Sequence, residues 1–174
     1  MMSATLSALE TFPRLLEDHV RAVPPGYLDW RPPSWDGIPS EPFTALQQLC
    51  HVRDIEIEGY HVRLRRMLDE ESPVLDSIDS LALVVPRRYA DADPAAVLVQ
   101  IREARAQTVA LVAGLSNAEL GRAGFFEGYG KLTLKGLIHY LCSHDLQHLS
   151  GMQWLLGQID SARLGATRRD SARA

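Results

Sequence analysis

The sequence contains few cysteines and no long apolar run. Cys50 and Cys142 are its only cysteines, and neither lies in a Cys-x-x-Cys pair. Two isolated cysteines exclude the disulfide framework that stabilises small secreted domains. No stretch approaches the roughly 20 apolar residues that cross a bilayer, and the N-terminal residues lack the basic and then apolar pattern of a signal peptide. We therefore expect a cytoplasmic protein that is neither secreted nor inserted in a membrane.

Positive charge is also scarce. The chain has 18 basic and 22 acidic residues, which gives a net charge of -4. Nucleic-acid binding needs a concentrated basic surface, and this balance does not predict one. The basic residues cluster once, at Arg63, Arg65 and Arg66. A short run of this kind is more typical of a solvated helix face than of a binding site.

The length and composition predict one domain with a substantial core. Hydrophobic residues make up 46% of the 174 residues, which is too many for a disordered chain. From Ser161 onwards the residues are mostly small or charged. We therefore expect a helical bundle domain over residues 1–160 and a flexible tail over residues 161–174.

Helical periodicity dominates the pattern of apolar residues. Four long helices are expected, over residues 3–22, 40–71, 94–114 and 133–157. Their N-caps are predicted at Ser40, Asp93 and Thr133, and a capping box at Ser116 predicts one short extra turn. No strand-like alternation is present, and four glycines in residues 121–131 indicate a loop. The predicted fold is therefore an all-α four-helix bundle.

Two long connections separate these helices. Residues 23–41 are rich in proline and contain Trp30 and Trp35. A disordered linker seldom carries two tryptophans, so we expect one of them to pack onto the bundle and the loop to form the wall of a pocket. Residues 73–93 join the second and third helices, and a connection of this length need not join antiparallel neighbours.

The sharpest chemical signal is the pair His144 and His148 in the fourth predicted helix. Residues four apart lie on one helix face, one turn apart, so two imidazoles at this spacing can hold one metal ion. The other residues of that face are apolar: Leu134, Leu137, Leu141, Met152, Leu155 and Ile159. The histidines therefore point to the core, where buried polar groups need partners. A hydrogen-bonded core pair and a metal site both satisfy this need.

A third ligand has to come from another helix, and His51 in the second predicted helix is the candidate. Its own face is mixed and includes Gln48 and Glu58. The opposite face is more apolar and consists of Leu46, Leu49, Ile57, Leu64 and Leu68. An exposed helix position is the simpler interpretation of His51. A ligand role requires both faces of this helix to be covered, one by the bundle and one by something else, such as a second subunit.

These features together resemble the DinB/YfiT-like family of four-helix metalloproteins. The similarity covers nearly the whole chain and includes residues 51–56 (HVRDIE), residues 144–148 (HDLQH) and residues 30–35 (WRPPSW). The resemblance implies an up-down-down-up bundle, frequent homodimers, and nickel, zinc or iron held by His51, His144 and His148. Some members of the family are thiol S-transferases that use bacillithiol, mycothiol or glutathione.

The chemistry of three imidazoles fits a catalytic site. No fourth ligand stands at a suitable spacing, so a bound ion keeps an open coordination position. Such an ion lowers the pKa of a bound water to roughly 7 or binds a thiol as thiolate. Asp54, one turn from His51, is the candidate catalytic residue, which orients a ligand or takes a proton, and an ordinary surface carboxylate is the alternative. Glu58, two turns from His51, is expected at the rim of the pocket.

The predicted function is that of a divalent-metal-dependent transferase that uses a low-molecular-weight thiol and acts on a small molecule. A metal-binding stress or sensory protein without catalysis and a metal-dependent hydrolase are the alternatives. Nickel, zinc and iron all stay open as the metal, because imidazole suits all three. Cys50 and Cys142 point away from the histidines of their helices and are expected to pack as small apolar residues.

Overall fold

The computed structural model describes residues 2–171, with side chains through residue 165. Its helices are α1 (Ser3–Ala22), α2 (Ala45–Asp54), α3 (His61–Asp69), α4 (Ser80–Leu83), α5 (Pro94–Ala113), α6 (Asn117–Leu120) and α7 (Leu134–Ser171). A π-helical segment, Ile55–Tyr60, joins α2 to α3, so residues 45–69 form one long second helix. Both α1 and α2 pack against α5 and α7. The predicted up-down-down-up four-helix bundle is confirmed.

Three of the predicted N-caps are confirmed. The side chains of Asp93, Ser116 and Thr133 each accept a hydrogen bond from a backbone amide in the first turn of the helix that follows. This contact satisfies one of the amide groups that have no partner within the helix.

The second helix begins at Thr44 rather than at the predicted Ser40. The Thr44 hydroxyl accepts from the amide of Gln47, and the Gln47 side chain accepts from the amide of Thr44, which completes a capping box. The hydroxyl of Ser40 is engaged elsewhere, because it accepts a hydrogen bond from the side chain of Gln48 (2.6 Å). The start at residue 40 is therefore wrong by one helical turn.

The π-helical segment decides which side chains of the second helix face the same way. In an uninterrupted α-helix at about 100° per residue, Tyr60 would lie half a turn away from His51. A π turn closes hydrogen bonds from residue i to residue i+5, so Tyr60 follows Ile55 after one wide turn, and Ile55 follows His51 after one ordinary turn. His51, Ile55, Tyr60 and Arg63 consequently line one cavity.

A small sheet corrects the prediction that residues 121–131 form a loop and that the chain has no strands. Strands β1 (Val74–Leu75), β2 (Ala123–Phe126) and β3 (Gly130–Thr133) form it, with β2 parallel to β1 and antiparallel to β3. Gly128 and Gly130 have φ angles of 83° and 84°, which the turn between β2 and β3 requires. Strands of two to four residues are too short to show an alternating pattern.

The loop before the second helix packs onto the bundle as predicted. Trp35 stacks on Trp154 of α7, with ring centroids 6.3 Å apart. Trp30 is partly buried against the same apolar cluster. Both tryptophans are therefore used for packing.

Helix α7 is longer than predicted. The end expected near Gly157 is wrong, because the helix continues to Ser171. A glycine inside a helix costs only about 1 kcal/mol, and the flanking Leu155 and Ile159 are fully packed in the core. Residues 172–174 of the predicted tail lie outside the described residues, and the division of the chain at residue 160 stays a prediction. Neither α7 nor any other described helix is long and apolar enough to cross a membrane.

Most of both faces of the second helix is covered within one chain, and Ile57 of the apolar face is 39% exposed. Leu46, Leu49 and Leu64 are buried on one side, and His51 is buried on the other. Helix α7 packs against the His51 side, and the ring of Phe43 lies 5.1 Å from the His51 ring. A second subunit is therefore not needed to bury His51, and the homodimer stays a prediction.

One buried arginine joins all four long helices. Arg105 of α5 is 2% exposed and donates two hydrogen bonds to Glu56 of the π-helical segment (3.0 and 2.7 Å) and two to Asp145 of α7 (2.6 and 2.9 Å). It also donates to the carbonyl oxygen of Leu9 in α1 (3.4 Å). Buried charges are tolerated when they are paired and hydrogen-bonded, so this cluster fixes how the helices are oriented relative to one another.

Arg105→Ala should lower the free energy of unfolding by about 3–5 kcal/mol, because two carboxylates are left buried without their partner. Arg102→Ala on the same helix is the matched control. Arg102 is 46% exposed and pairs with Glu17 at the surface (3.0 Å), so a loss of at most about 1 kcal/mol is expected. Urea unfolding of both variants measures the difference, and equal losses would contradict the role given to Arg105.

Candidate metal centre

The three predicted histidines converge on one point. His51 comes from α2, and His144 and His148 come from α7. Nε2 of His144 lies 3.0 Å from Nε2 of His51 and 3.0 Å from Nε2 of His148. The candidate ligand atoms of the three rings all lie within 4.8 Å of one another. This spacing suits one ion with metal–nitrogen bonds of about 2.1 Å.

A chain of hydrogen bonds fixes the orientation of His148. Its Nδ1 hydrogen-bonds the side-chain oxygen of Gln48, and the side-chain nitrogen of Gln48 donates to Ser40 Oγ (2.6 Å). An amide oxygen only accepts, so Nδ1 of His148 carries the proton and Nε2 keeps its lone pair. That lone pair faces the other two histidines, as it does in metal-ligating histidines whose second nitrogen is held in this way.

Gly151 of α7 leaves room for this chain of hydrogen bonds. A Cβ atom at residue 151 would collide with Ser40 Oγ and would lie 2.9 Å from Nε2 of Gln48. Any larger residue would displace Ser40 or Gln48, so the orientation of His148 depends on a glycine at this position.

Burial keeps the three imidazoles neutral at neutral pH. Removal from water lowers the pKa of His51 to about 4 and the pKa values of His144 and His148 well below the usual value. Neutral imidazole is the form that binds metals. A proton on Nε2 of His144 can form a hydrogen bond with only one of the two neighbouring Nε2 atoms, those of His51 and His148. Nδ1 of His51 has no hydrogen-bond partner among the described residues. A divalent ion accepts three lone pairs at once, so this donor set fits a metal.

Glu41 adds a carboxylate that the sequence did not indicate. Its Oε2 is buried, has no hydrogen-bond partner in the described part of the chain, and lies 3.6 Å from Nε2 of His148. The contact is not an ion pair, because His148 is neutral. A carboxylate oxygen in this position is suited to bind the same ion or to accept a proton. The structure thus supplies a candidate fourth ligand where the sequence predicted none.

A cavity of about 100 Å³ lies beside His51 and His144. Its other lining residues come from the second helix, the chain before and after it, and the β2–β3 hairpin: Glu41, Ile55, Tyr60, Arg63, Ser77, Ile78, Ser80, Phe126 and Tyr129. Of the loop over residues 23–41, which was expected to wall the pocket, only Glu41 lines this cavity. The Trp30–Trp35 part does not line it, and Trp35 stacks on Trp154.

Asp54 lies one turn from His51 but faces a different cavity. Its carboxylate accepts hydrogen bonds from Arg53 (2.6 Å), Arg87 (2.7 Å) and the hydroxyl of Tyr89 (2.6 Å). Burial alone would raise the pKa of Asp54, but the three donors lower it overall. The structure therefore does not bring Asp54 into the histidine cavity, and its catalytic role stays a prediction.

The remaining candidates lie outside the histidine cluster. Glu58 pairs with Arg87 at this second cavity, which has a volume of about 430 Å³. Cys50 and Cys142 are free thiols, and burial raises the pKa of each to about 11. Both are therefore protonated at neutral pH and act as packing residues.

Gly151→Ala should weaken metal binding by about 10-fold to 100-fold, because it displaces the partners that orient His148. Gly157→Ala on the same helix is the matched control, since a Cβ atom there meets nothing within 4 Å. Competition of each variant with a chromophoric chelator for zinc or nickel measures the affinity. Unchanged affinity in a folded Gly151→Ala variant would contradict the role of the Ser40–Gln48 contact.

Comparisons with known proteins extend over most of the chain. The model of the DinB superfamily matches residues 8–152. Among solved structures, YfiT from Bacillus subtilis is similar to this chain with a TM-score of 0.77 and 23% sequence identity, over 94% of this chain and 87% of that chain. That protein is described as a probable metal-dependent hydrolase with an unusual four-helix bundle topology. A search of curated proteins finds no match. YfiT shares the fold, the family model covers all but the ends of the chain, and the chain belongs to the DinB superfamily.

Proposed function

We propose that the chain is a divalent-metal-dependent enzyme that acts on a small molecule. His51, His144 and His148 are the proposed ligands, and Glu41 is the proposed proton acceptor. The observation that carries the proposal is a buried carboxylate oxygen without a partner, 3.6 Å from one of three neutral imidazoles. A divalent ion on neutral imidazoles keeps its full charge, acts as a Lewis acid and lowers the pKa of a bound water or thiol.

Hydrolysis is the reaction that this arrangement supports best. In this reaction Oε2 of Glu41 takes a proton from a water, and the resulting hydroxide attacks the electrophilic centre of the substrate. The bond to the leaving group then breaks, and Glu41 returns the proton to the leaving group. Burial raises the pKa of Tyr60, so its hydroxyl stays a hydrogen-bond donor for a substrate oxygen. The rings of Phe126 and Tyr129 cover part of the cavity and limit access of bulk water. The description of YfiT as a probable metal-dependent hydrolase supports the same reaction.

Thiol transfer is the second candidate. In this reaction Glu41 takes the proton of a thiol instead of a water, and the resulting thiolate attacks the electrophile. A carbon–sulfur bond forms, the bond to the leaving group breaks, and Glu41 returns the proton to the leaving group. The family resemblance supports bacillithiol, mycothiol or glutathione as the thiol cofactor. In a stress or sensory protein without catalysis, Glu41 would instead close the coordination sphere as a fourth ligand. Metal analysis of protein purified without a histidine tag distinguishes nickel, zinc and iron.

Glu41→Gln should lower turnover by about 10²-fold or more at unchanged metal content, because an amide does not accept the proton. Asp54→Asn is the comparison, since its carboxylate faces the other cavity and a smaller effect is expected.

His148→Ala should remove both metal and activity, whereas His139→Ala, an exposed position of the same helix, should remove neither.

Metal content and initial rates test this expectation with a panel of activated esters and amides, and with each of the three thiols plus a model electrophile. A hydrolysis rate that Glu41→Gln leaves unchanged would contradict the proposed base. Conjugation of a thiol to the model electrophile, without hydrolysis of any ester or amide, would favour the transferase. The absence of any rate above background would favour a metal-binding role without catalysis.

We also propose a homodimer that works in the cytoplasm, where the free thiols of Cys50 and Cys142 stay reduced. An apolar groove between α1 and α5, lined in part by Pro13, Ala106 and Val109, is the candidate contact surface. Sedimentation should therefore give a mass near twice 19.3 kDa. A mass of one chain at every concentration tested would contradict the dimer.

A further inference from the structure

Arg63 is a buried cation without a carboxylate partner. The sequence predicts a solvated helix face at this position, but the side chain is only 6% exposed and lines the histidine cavity. The π-helical segment before α3 explains the difference, because it turns Arg63 to the side of His51. No carboxylate of the described residues lies within 4.0 Å of its guanidinium.

The guanidinium is held in place by uncharged groups. Its Nε and Nη2 donate to the carbonyl oxygen of Asp76 (3.1 and 2.8 Å). Its Cζ lies 4.6 Å from the centre of the Phe126 ring and 5.5 Å from the centre of the Tyr60 ring. The carboxylate of Asp76 is directed to Arg66 (3.6 Å) and is largely exposed. Asp76 therefore acts on the charge of Arg63 only from a distance, and no carboxylate of the described residues contacts the guanidinium.

One nitrogen of Arg63 is left for a ligand. Nη1 has no hydrogen-bond partner among the residues described. Gly59 leaves space next to it, since a Cβ atom at residue 59 would lie 2.7 Å from Nη1. Burial lowers the pKa of Arg63 from its usual value, yet a guanidinium stays charged at neutral pH. An unpaired buried cation is costly to the fold, and a bound anion removes that cost.

Tyr60 lies close both to Arg63 and to the histidine cluster. The Tyr60 ring lies 6.1 Å from the His144 ring and 5.5 Å from Cζ of Arg63. The cavity of about 100 Å³ is thus lined by imidazoles and by a cation, and Tyr60 lies close to both. At about 30 Å³ per water, this volume equals only a few water molecules, so it suits a small group rather than a long chain.

We propose that Arg63 binds an oxyanion of the substrate, a carboxylate or a phosphate, and that the enzyme therefore acts on small acidic molecules. Guanidinium groups recognise carboxylate and phosphate through charge-assisted hydrogen bonds. The substrate class rests on the function proposed above, whereas the binding of an oxyanion at Arg63 does not, because it needs no metal and no turnover.

The test uses the protein without metal, so that anions cannot bind to an ion. Acetate, inorganic phosphate and the neutral acetamide are titrated while the backbone amide signal of Tyr60 is followed by NMR. At least one of the two oxyanions should cause a saturable shift, and acetamide should cause none. Arg63→Gln should weaken oxyanion binding at least about tenfold. Arg66→Gln, a partly exposed position of the same helix that pairs with Glu70, should leave it unchanged.

A second variant covers the case in which Arg63→Gln does not fold. Gly59→Ala crowds Nη1 and should also weaken binding of the oxyanion. The proposal is overturned if neither acetate nor phosphate binds saturably, or if a folded Arg63→Gln or Gly59→Ala variant binds as tightly as the unmodified protein. Oxyanion binding that depends on Arg63 supports the site even where no hydrolysis or thiol transfer is found.

Discussion

The geometry of the histidine cluster depends on one buried guanidinium. Arg105 binds Glu56 and Asp145 through paired hydrogen bonds, and Asp145 directly follows His144 in α7. Paired hydrogen bonds to a planar group allow little rotation, so α7 and the second helix are fixed about their own axes. A rotation equal to one residue would move each side chain by about 100°. The Arg105 cluster thus sets the rotation at which imidazoles from the two helices face one another.

Arg105 and Arg63 are similarly buried but differ in what surrounds them. Arg105 lies between two carboxylates, and its charge is compensated inside the fold. Arg63 is held by a carbonyl oxygen and two aromatic rings, none of which compensates a charge. Natural proteins depart from the rule of paired buried charges mainly at functional sites. Arg105 therefore stabilises the arrangement of the helices, whereas Arg63 gives the histidine cavity a positive charge that is available to a ligand.

Much of the fold and the histidine cluster could be predicted because their signals are local. The caps at Asp93, Ser116 and Thr133 act within one helical turn, and the spacing of His144 and His148 needs only the helical period. Glu41 could not be found in this way, because it lies in a loop whose path follows no period. Arg63 was expected in solvent because a short basic run is typical of a solvated helix face, and the π-helical turn that moves it to the cavity has no signal in the sequence pattern. The short strands could not be predicted, because they are stabilised by pairing with other segments of the chain rather than by a pattern in their own residues.

The π-helical segment divides the second helix into two halves with different phase. The half before it presents His51, and the end of the segment and the half after it present Tyr60 and Arg63 to the same cavity. In genetic terms, the wide turn accommodates one extra codon. Loss of one codon within residues 55–60 would restore an ordinary helix in which Tyr60 and Arg63 lie about 80° and 20° from His51, so both would stay on its side. Homologous genes that are one codon shorter here would therefore keep both the histidine cluster and the side chains that face it.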